Sequence, residues 1–197
     1  LWIPKSSANL GLIVAMPGYN VGRPEATTNF GAYMVLDSLK PNALVFIPMR
    51  TATNTIPSGM RNAIAKIQTD YSLNTADIWF YGFSQGACDF STMSSWYNWK
   101  GAVLVDGNYP YNTTIPSALT KVMIVQGMLN YAQAYSNVFT SAGITPIVYD
   151  YYGQASHANV NYWTPSDSDA TYQQIAGQSY YKKLPSDPSN GLLWLLS

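Results

Sequence analysis

Six short apolar runs, separated by segments of helical spacing, constrain this 197-residue chain more than any other feature. Leu10 to Ala15 is continuously apolar and ends at Pro17-Gly18, the pattern of a strand buried on both faces. Ala43 to Ile47 ends at Pro48, and Ile78 to Tyr81, Ala102 to Val105, Val122 to Val125 and Ile147 to Tyr151 read as four further strands. Gly31 to Leu39, Ser58 to Tyr71, Gln85 to Trp96 and Tyr131 to Thr140 carry helical spacing, and a closing helix is expected from about Ala170 to Tyr181. Pro41 stops the first helix, and Ser58 suits the N-cap of the second. Such alternation predicts an α/β fold over residues 1–197: one mostly parallel sheet with helices on both faces. No internal repeat or domain boundary interrupts it. The polar loops at 19–29, 50–57, 106–120 and 152–168 mostly follow the carboxyl ends of strands, where open α/β sheets place their sites.

The chain is 47% hydrophobic, enough for one sizeable core, and its ten basic and ten acidic residues cancel. With no basic run, nucleic acid is not an expected partner. Charged residues make up only 10%, and Glu25 is the sole glutamate, a composition that fits an extracellular protein or part of a virion assembly. Cys88 is the only cysteine, so neither an internal disulfide nor a thiolate metal cluster can form. Asn112-Thr113-Thr114 matches a glycosylation acceptor. No signal peptide is visible, and the apolar runs are too short to span a bilayer. A start at Leu1 reads as a processed chain or a piece of a longer one. The apolar tail Leu192 to Leu196 is expected to bury itself on this core, a neighbouring domain or another subunit.

Chemistry concentrates at Gly82-Phe83-Ser84-Gln85-Gly86, a G-x-S-x-G pattern between a strand signal and a helix signal. A tight strand-to-helix turn there would strain Ser84 and lift its Oγ clear of the sheet. Gly82 and Gly86 would remove side chains that otherwise meet backbone. The plain alternative is a Gly-Ser turn without chemistry. Around this motif the chain resembles the α/β-hydrolase superfamily. The pentapeptide looks like the elbow of phospholipase/carboxylesterase and acyl-protein thioesterase families. Asp70 to Ala87 is similar to feruloyl esterases and polyhydroxybutyrate depolymerases. The likeness runs from Leu10 to about Tyr181, with the family's first strands absent or upstream of Leu1.

The resemblance implies an oxyanion hole, a base and an acid. Gln85 N–H supplies one oxyanion donor, and Tyr19 N–H, after Met16-Pro17-Gly18, is the candidate for the other. Pro17 stands where the family has histidine, so a simple strand-ending turn remains open. His157, the only histidine, follows the last strand, where the family keeps its catalytic histidine. The acid departs from the pattern: Gln126-Gly127-Met128-Leu129-Asn130 puts Asn130 at the usual aspartate position. An amide orients an imidazole without neutralising imidazolium. Asp106, ending Val103-Leu104-Val105-Asp106, is the favoured substitute, with Asp150, Asp167 and Asp169 as others, while a turn-capping role for Asp106 is the plain alternative.

One histidine cannot supply the usual metal ligands, and neither metal nor cofactor is expected. Asp89 reads as solvated or capping, Cys88 as a small packed side chain, and Arg23 and Arg50 as loop cations able to steer an anion. Loop aromatics such as Tyr109, Tyr111, Tyr162 and Trp163 suit sugars, aromatic esters or a protein interface. The expected function is serine-dependent hydrolysis of a polysaccharide-linked or short acyl ester. Its rivals are a catalytically impaired hydrolase-like domain with a structural or binding role, and a carbohydrate-binding module.

Overall fold

A computed structural model describes residues 1–4, 10–19, 42–50, 55–107, 114–126, 131–150 and 194–196. It contains all six expected strands: β1 (Gly11–Met16), β2 (Ala43–Phe46), β3 (Ile78–Phe83), β4 (Gly101–Val105), β5 (Lys121–Gln126) and β6 (Ile147–Asp150). They form one sheet in the order β2-β1-β3-β4-β5-β6, and every neighbouring pair is parallel. The chain leaves β1 for β2 on one side and then crosses to β3 on the other, so the order reverses at β1. The crevice beyond the carboxyl ends of β1 and β3 is therefore the topological switch point.

Both faces of the sheet are buried, which is why the strands are apolar runs rather than alternating ones. Leu12, Val14, Phe80, Leu104 and Ile124 point to one face. Ile13, Ala15, Tyr81, Val103 and Val125 point to the other. On the first face lie α1 (Met60–Asp70), α2 (Gln85–Cys88), α3 (Phe90–Met93) and α4 (Ala132–Ser141). α1 buries Met60, Ile64 and Gln68, and α4 buries Ala132, Tyr135 and Phe139, each one stripe of a helix. Gly143, at φ 81, closes α4, and Ile144 N–H then donates to Phe139 O at 3.0 Å, a left-handed C-terminal cap. The expected helices at 31–39 and 170–181 lie outside the described residues.

The second face receives Trp2, Trp194 and Leu195. Trp2 exchanges backbone bonds with Val45, at 2.8 and 3.0 Å, along the outer edge of β2. Leu195 is 1% exposed and Trp194 is buried beside it, with Leu196 half-buried against the same core, so the described part of the tail packs on this chain itself. Burying a leucine and a tryptophan this way is worth about 1.5–3 kcal/mol each.

Two local expectations are corrected. The N-cap of α1 is Gly59 at φ 77, not Ser58, because the chain enters the helix through a left-handed turn that favours glycine. The single helix expected over Gln85 to Trp96 is two short pieces, α2 and α3, joined at Asp89.

Candidate active site

Ser84 sits where β3 turns into α2, at φ 57 and ψ −124, angles that a residue with a Cβ rarely adopts. The strain is held by backbone. Ser84 N–H donates to Val105 O at 2.8 Å, and Ser84 O accepts from Ala87 N–H at 2.9 Å. The Ser84 side chain makes no capping bond to α2. The flanking glycines are required by close approach. A Cβ on Gly86 would lie 2.0 Å from Met16 O, and one on Gly82 would lie 2.6 Å from Gly86 O. The turn is thus wedged against the end of β1 at the switch point.

The loop after β1 reaches the serine. A Cβ on Gly18 would stand 3.2 Å from Ser84 Cβ and 3.6 Å from Ser84 Oγ. A side chain at this position would crowd the nucleophile position, which glycine leaves open. Tyr19, next in the chain, has a side chain exposed to 53%. Gln85 opens α2, where first-turn N–H groups lack intrahelical acceptors. The loop carrying Tyr19 and the turn carrying Gln85 therefore both adjoin Ser84.

Asp106 lies beside Ser84 at the end of the next strand. Phe83 pairs with Val105 in register, and Val105 O is the acceptor of Ser84 N–H. Asp106 is buried, also has a positive φ of 51, and donates its N–H to Val125 O at 2.7 Å. Two consecutive strands thus end in strained non-glycine residues. His157 and Asn130 fall outside the described residues, as do Asp167 and Asp169, and the Asp150 side chain is likewise not described.

A buried polar layer underlies this edge, and most of it was not legible from sequence. Arg50 pairs with Asp89 in a buried ion pair that ties the end of β2 to the α2–α3 junction. This corrects two expectations: Arg50 is no anion-steering loop cation, and Asp89 is not solvated and, although it stands at the N-cap position of α3, its side chain makes no capping bond there. Burial pulls the Arg50 guanidinium below its ordinary value, with Cys88 opposing. Gln126 Nε2 donates to Gly107 O at 2.8 Å and holds the backbone that follows Asp106. Tyr135, from α4, comes within 2.8 Å of where a Gly107 Cβ would be. Burial holds its phenol well above the tyrosine range, and the Cys88 and Asp106 charges push the same way. Cys88 is half-buried, with Sγ 3.5 Å from Ser84 O.

No family model matches the chain, and no curated protein matches it in sequence. Solved structures do. The chain is similar to esterase PE8, at 15% identity and TM-score 0.53 over 89% of this chain and 94% of that one. It is similar to an arylesterase at 13% identity and TM-score 0.58, covering 89% of this chain and 76% of that one. The Bacillus cereus carboxylesterase aligns at 15% identity and TM-score 0.52, over 80% of this chain and 87% of that one. Parallel order, switch point and strained serine turn together define the class: this chain has the α/β-hydrolase fold. Among the described residues, no helix is long and apolar enough to cross a membrane.

Proposed function

We propose that the chain is a serine hydrolase that cleaves a carboxylic ester through an acyl-enzyme. The observation that carries this reading is the backbone of Ser84, held at φ 57 between β3 and α2 with the Gly18 loop against it. Glycine would relax this turn, so a serine held there between β3 and α2, with the loop after β1 against it, is what a nucleophile elbow requires. In this reading Ser84 Oγ attacks the ester carbonyl while His157 takes its proton. The oxyanion is received by Tyr19 and Gln85 N–H groups, and loss of one such donor typically costs about 10²–10³-fold in rate, or roughly 3–4 kcal/mol. Collapse of the tetrahedral intermediate breaks the bond to the alcohol, which leaves with the proton from His157. Water then attacks the acyl-enzyme by the same route in reverse and frees Ser84.

Asp106 is the proposed partner of the His157 imidazolium. Its support is its place beside Ser84 on the adjacent strand end, and chemistry favours a carboxylate over the Asn130 amide. The substrate is a polysaccharide-linked or short acyl ester, as the aromatic, weakly charged sequence suggests. Labelling by a fluorophosphonate tests the reading. Wild type should label, Ser84→Ala should not, and Asp106→Asn should slow labelling by orders of magnitude. Labelling that survives Asp106→Asn but falls in Asn130→Ala would move the acid's role to Asn130. A wild-type chain that neither labels nor hydrolyses short-chain esters would overturn the enzyme reading in favour of a hydrolase-fold binding domain.

A further inference from the structure

A cleft of about 850 Å³ opens beside the elbow, with the α2–α3 stretch on one side and residues 55–62 on the other. Its volume lies within the range of small-molecule sites. Gln85, Cys88, Asp89, Thr92 and Trp96 line the first side. Gln85, Cys88, Thr92 and Trp96 recur at three or four residues, one stripe of a helical path, with Asp89 and Ser91 beside it. The opposite stripe, with Gly86, Ala87, Phe90 and Met93, is buried against the sheet. Asp89 keeps helical angles, φ −63 and ψ −21, so the stripe continues through the junction. It begins at the residue that follows Ser84. At 1.5 Å per residue it carries the cleft roughly 16 Å away from the nucleophile position.

The lining decides between ligands. Apolar surface comes from Ile56, Pro57 and the half-buried Trp96, whereas Ser58, Asn62 and Thr92 offer exposed hydroxyl and amide groups. By surface the lining is more apolar than polar, with these hydroxyl and amide groups set among the apolar stretches, a mixture that suits an amphipathic ligand. The Asp89 charge is matched by Arg50, which leaves Arg61 as the charge at the rim. A saturated acyl chain would strip water from these donors and acceptors without replacing it, an unfavourable exchange. A neutral sugar replaces that water with its own hydroxyls and can lay its apolar face on an indole ring.

We propose that this cleft binds the neutral carbohydrate portion of the substrate, with the ester at Ser84 and linked pyranose rings running toward Trp96. The orientation rests on the reading of Ser84 as nucleophile; the binding itself does not. The test is binding of xylotriose, cellotriose and mannotriose to the Ser84→Ala chain, by saturation-transfer NMR and calorimetric titration. At least one trisaccharide should bind. Trp96→Ala should weaken its Kd at least ten-fold, and Asn62→Ala, at an exposed position on the facing wall, at least three-fold with an unchanged melting temperature. If Trp96→Ala fails to fold, Asn62→Ala decides. No binding of any of the three, or binding indifferent to the variants, overturns the proposal. So does binding of octanoate, weakened by the same variants, in place of sugar. Fluorophosphonate labelling separates the two claims. Wild type that labels without binding trisaccharide sinks the cleft assignment alone. A chain that binds trisaccharide at this cleft without labelling upholds the sugar site and overturns the hydrolase reading.

Discussion

The two ends of the sheet are built by opposite rules. At the amino ends of β3 to β5, polar groups are exposed and satisfied locally. Asn74 Oδ1 accepts from Ala76 N–H at 3.1 Å, Asn98 Oδ1 accepts from Ala118 N–H at 2.9 Å, and Lys100 pairs with Asp77 in partial solvent. At the carboxyl ends, charge is buried and backbone is strained. Arg50 and Asp89 pair out of water, Ser84 and Asp106 hold positive φ, and Arg50 Nε and Gln126 Oε1 have no hydrogen-bond partner among the described residues. Stability alone would not favour the second arrangement. Ser72, in the turn after α1, also holds positive φ, but among the described residues only the carboxyl edge sets two such strand ends beside a buried ion pair, at the switch point, and that combination is the physical mark of a site.

The largest expected effect separates the two ion pairs. Asp89→Ala should lower the unfolding free energy by about 3–5 kcal/mol, because it leaves the Arg50 charge buried without the carboxylate that neutralises it. Lys100→Ala, at the amino end, should cost about 1 kcal/mol or less, since that pair is solvated. Urea unfolding of both variants measures the contrast, and equal losses would erase it.

A smaller effect turns on the positive φ residues. Ser72, at φ 50, ends α1 on the amino side of β3 and is the natural control for Ser84. Replacing either by glycine should raise stability by about 1 kcal/mol, strain relief exceeding the added chain entropy. Ser84→Gly should abolish fluorophosphonate labelling, whereas Ser72→Gly should leave it unchanged. Loss of labelling in Ser72→Gly would show that the two ends are not independent.

The smallest effect is an alkaline one at Tyr135. Its folded pKa is raised, so the unfolded chain loses this proton first, near the ordinary tyrosine value of about 10. The contribution is therefore full below that value and is lost as pH rises through it toward the folded pKa. Tyr135→Phe should remove this share of the slope, at most about 1.4 kcal/mol per pH unit, while changing stability at pH 8 by about 1 kcal/mol or less. Urea unfolding across alkaline pH, wild type against variant, isolates it. An unchanged slope would mean that Tyr135 ionises in the folded state as readily as in the unfolded one.

The sheet was legible because its signal is local. A strand buried on both faces must be apolar throughout, and all six runs lie within a residue or two of their observed bounds. The serine turn was legible for a similar reason, since Gly82 and Gly86 answer to contacts made within the motif and with β1. The Arg50–Asp89 pair was not, because nothing near either residue signals a partner so distant in the chain. Ser58 and Gly59 illustrate another limit: both residue types start helices, and only the left-handed entry at Gly59 decides between them. The break at Asp89 followed the same logic. Propensity predicts one helix, and the interruption is a single residue, Asp89, which keeps helical angles while its side chain meets Arg50 from the segment after β2.

The all-parallel order also governs how the chain can assemble. No strand can pair with its successor through a short hairpin, because every connection must cross over the sheet. β1 lies between β2 and β3, so the switch-point crevice takes shape only after two long loops have closed on one strand. Loop closure must be met before those contacts return anything, which places folding toward the slow, non-local end of the range for small domains. Until then β1 and β3 present apolar edges to any neighbouring chain. The serine turn therefore arises late and cooperatively, and crowded or dilute refolding should change the yield of labelled protein more than its final melting temperature.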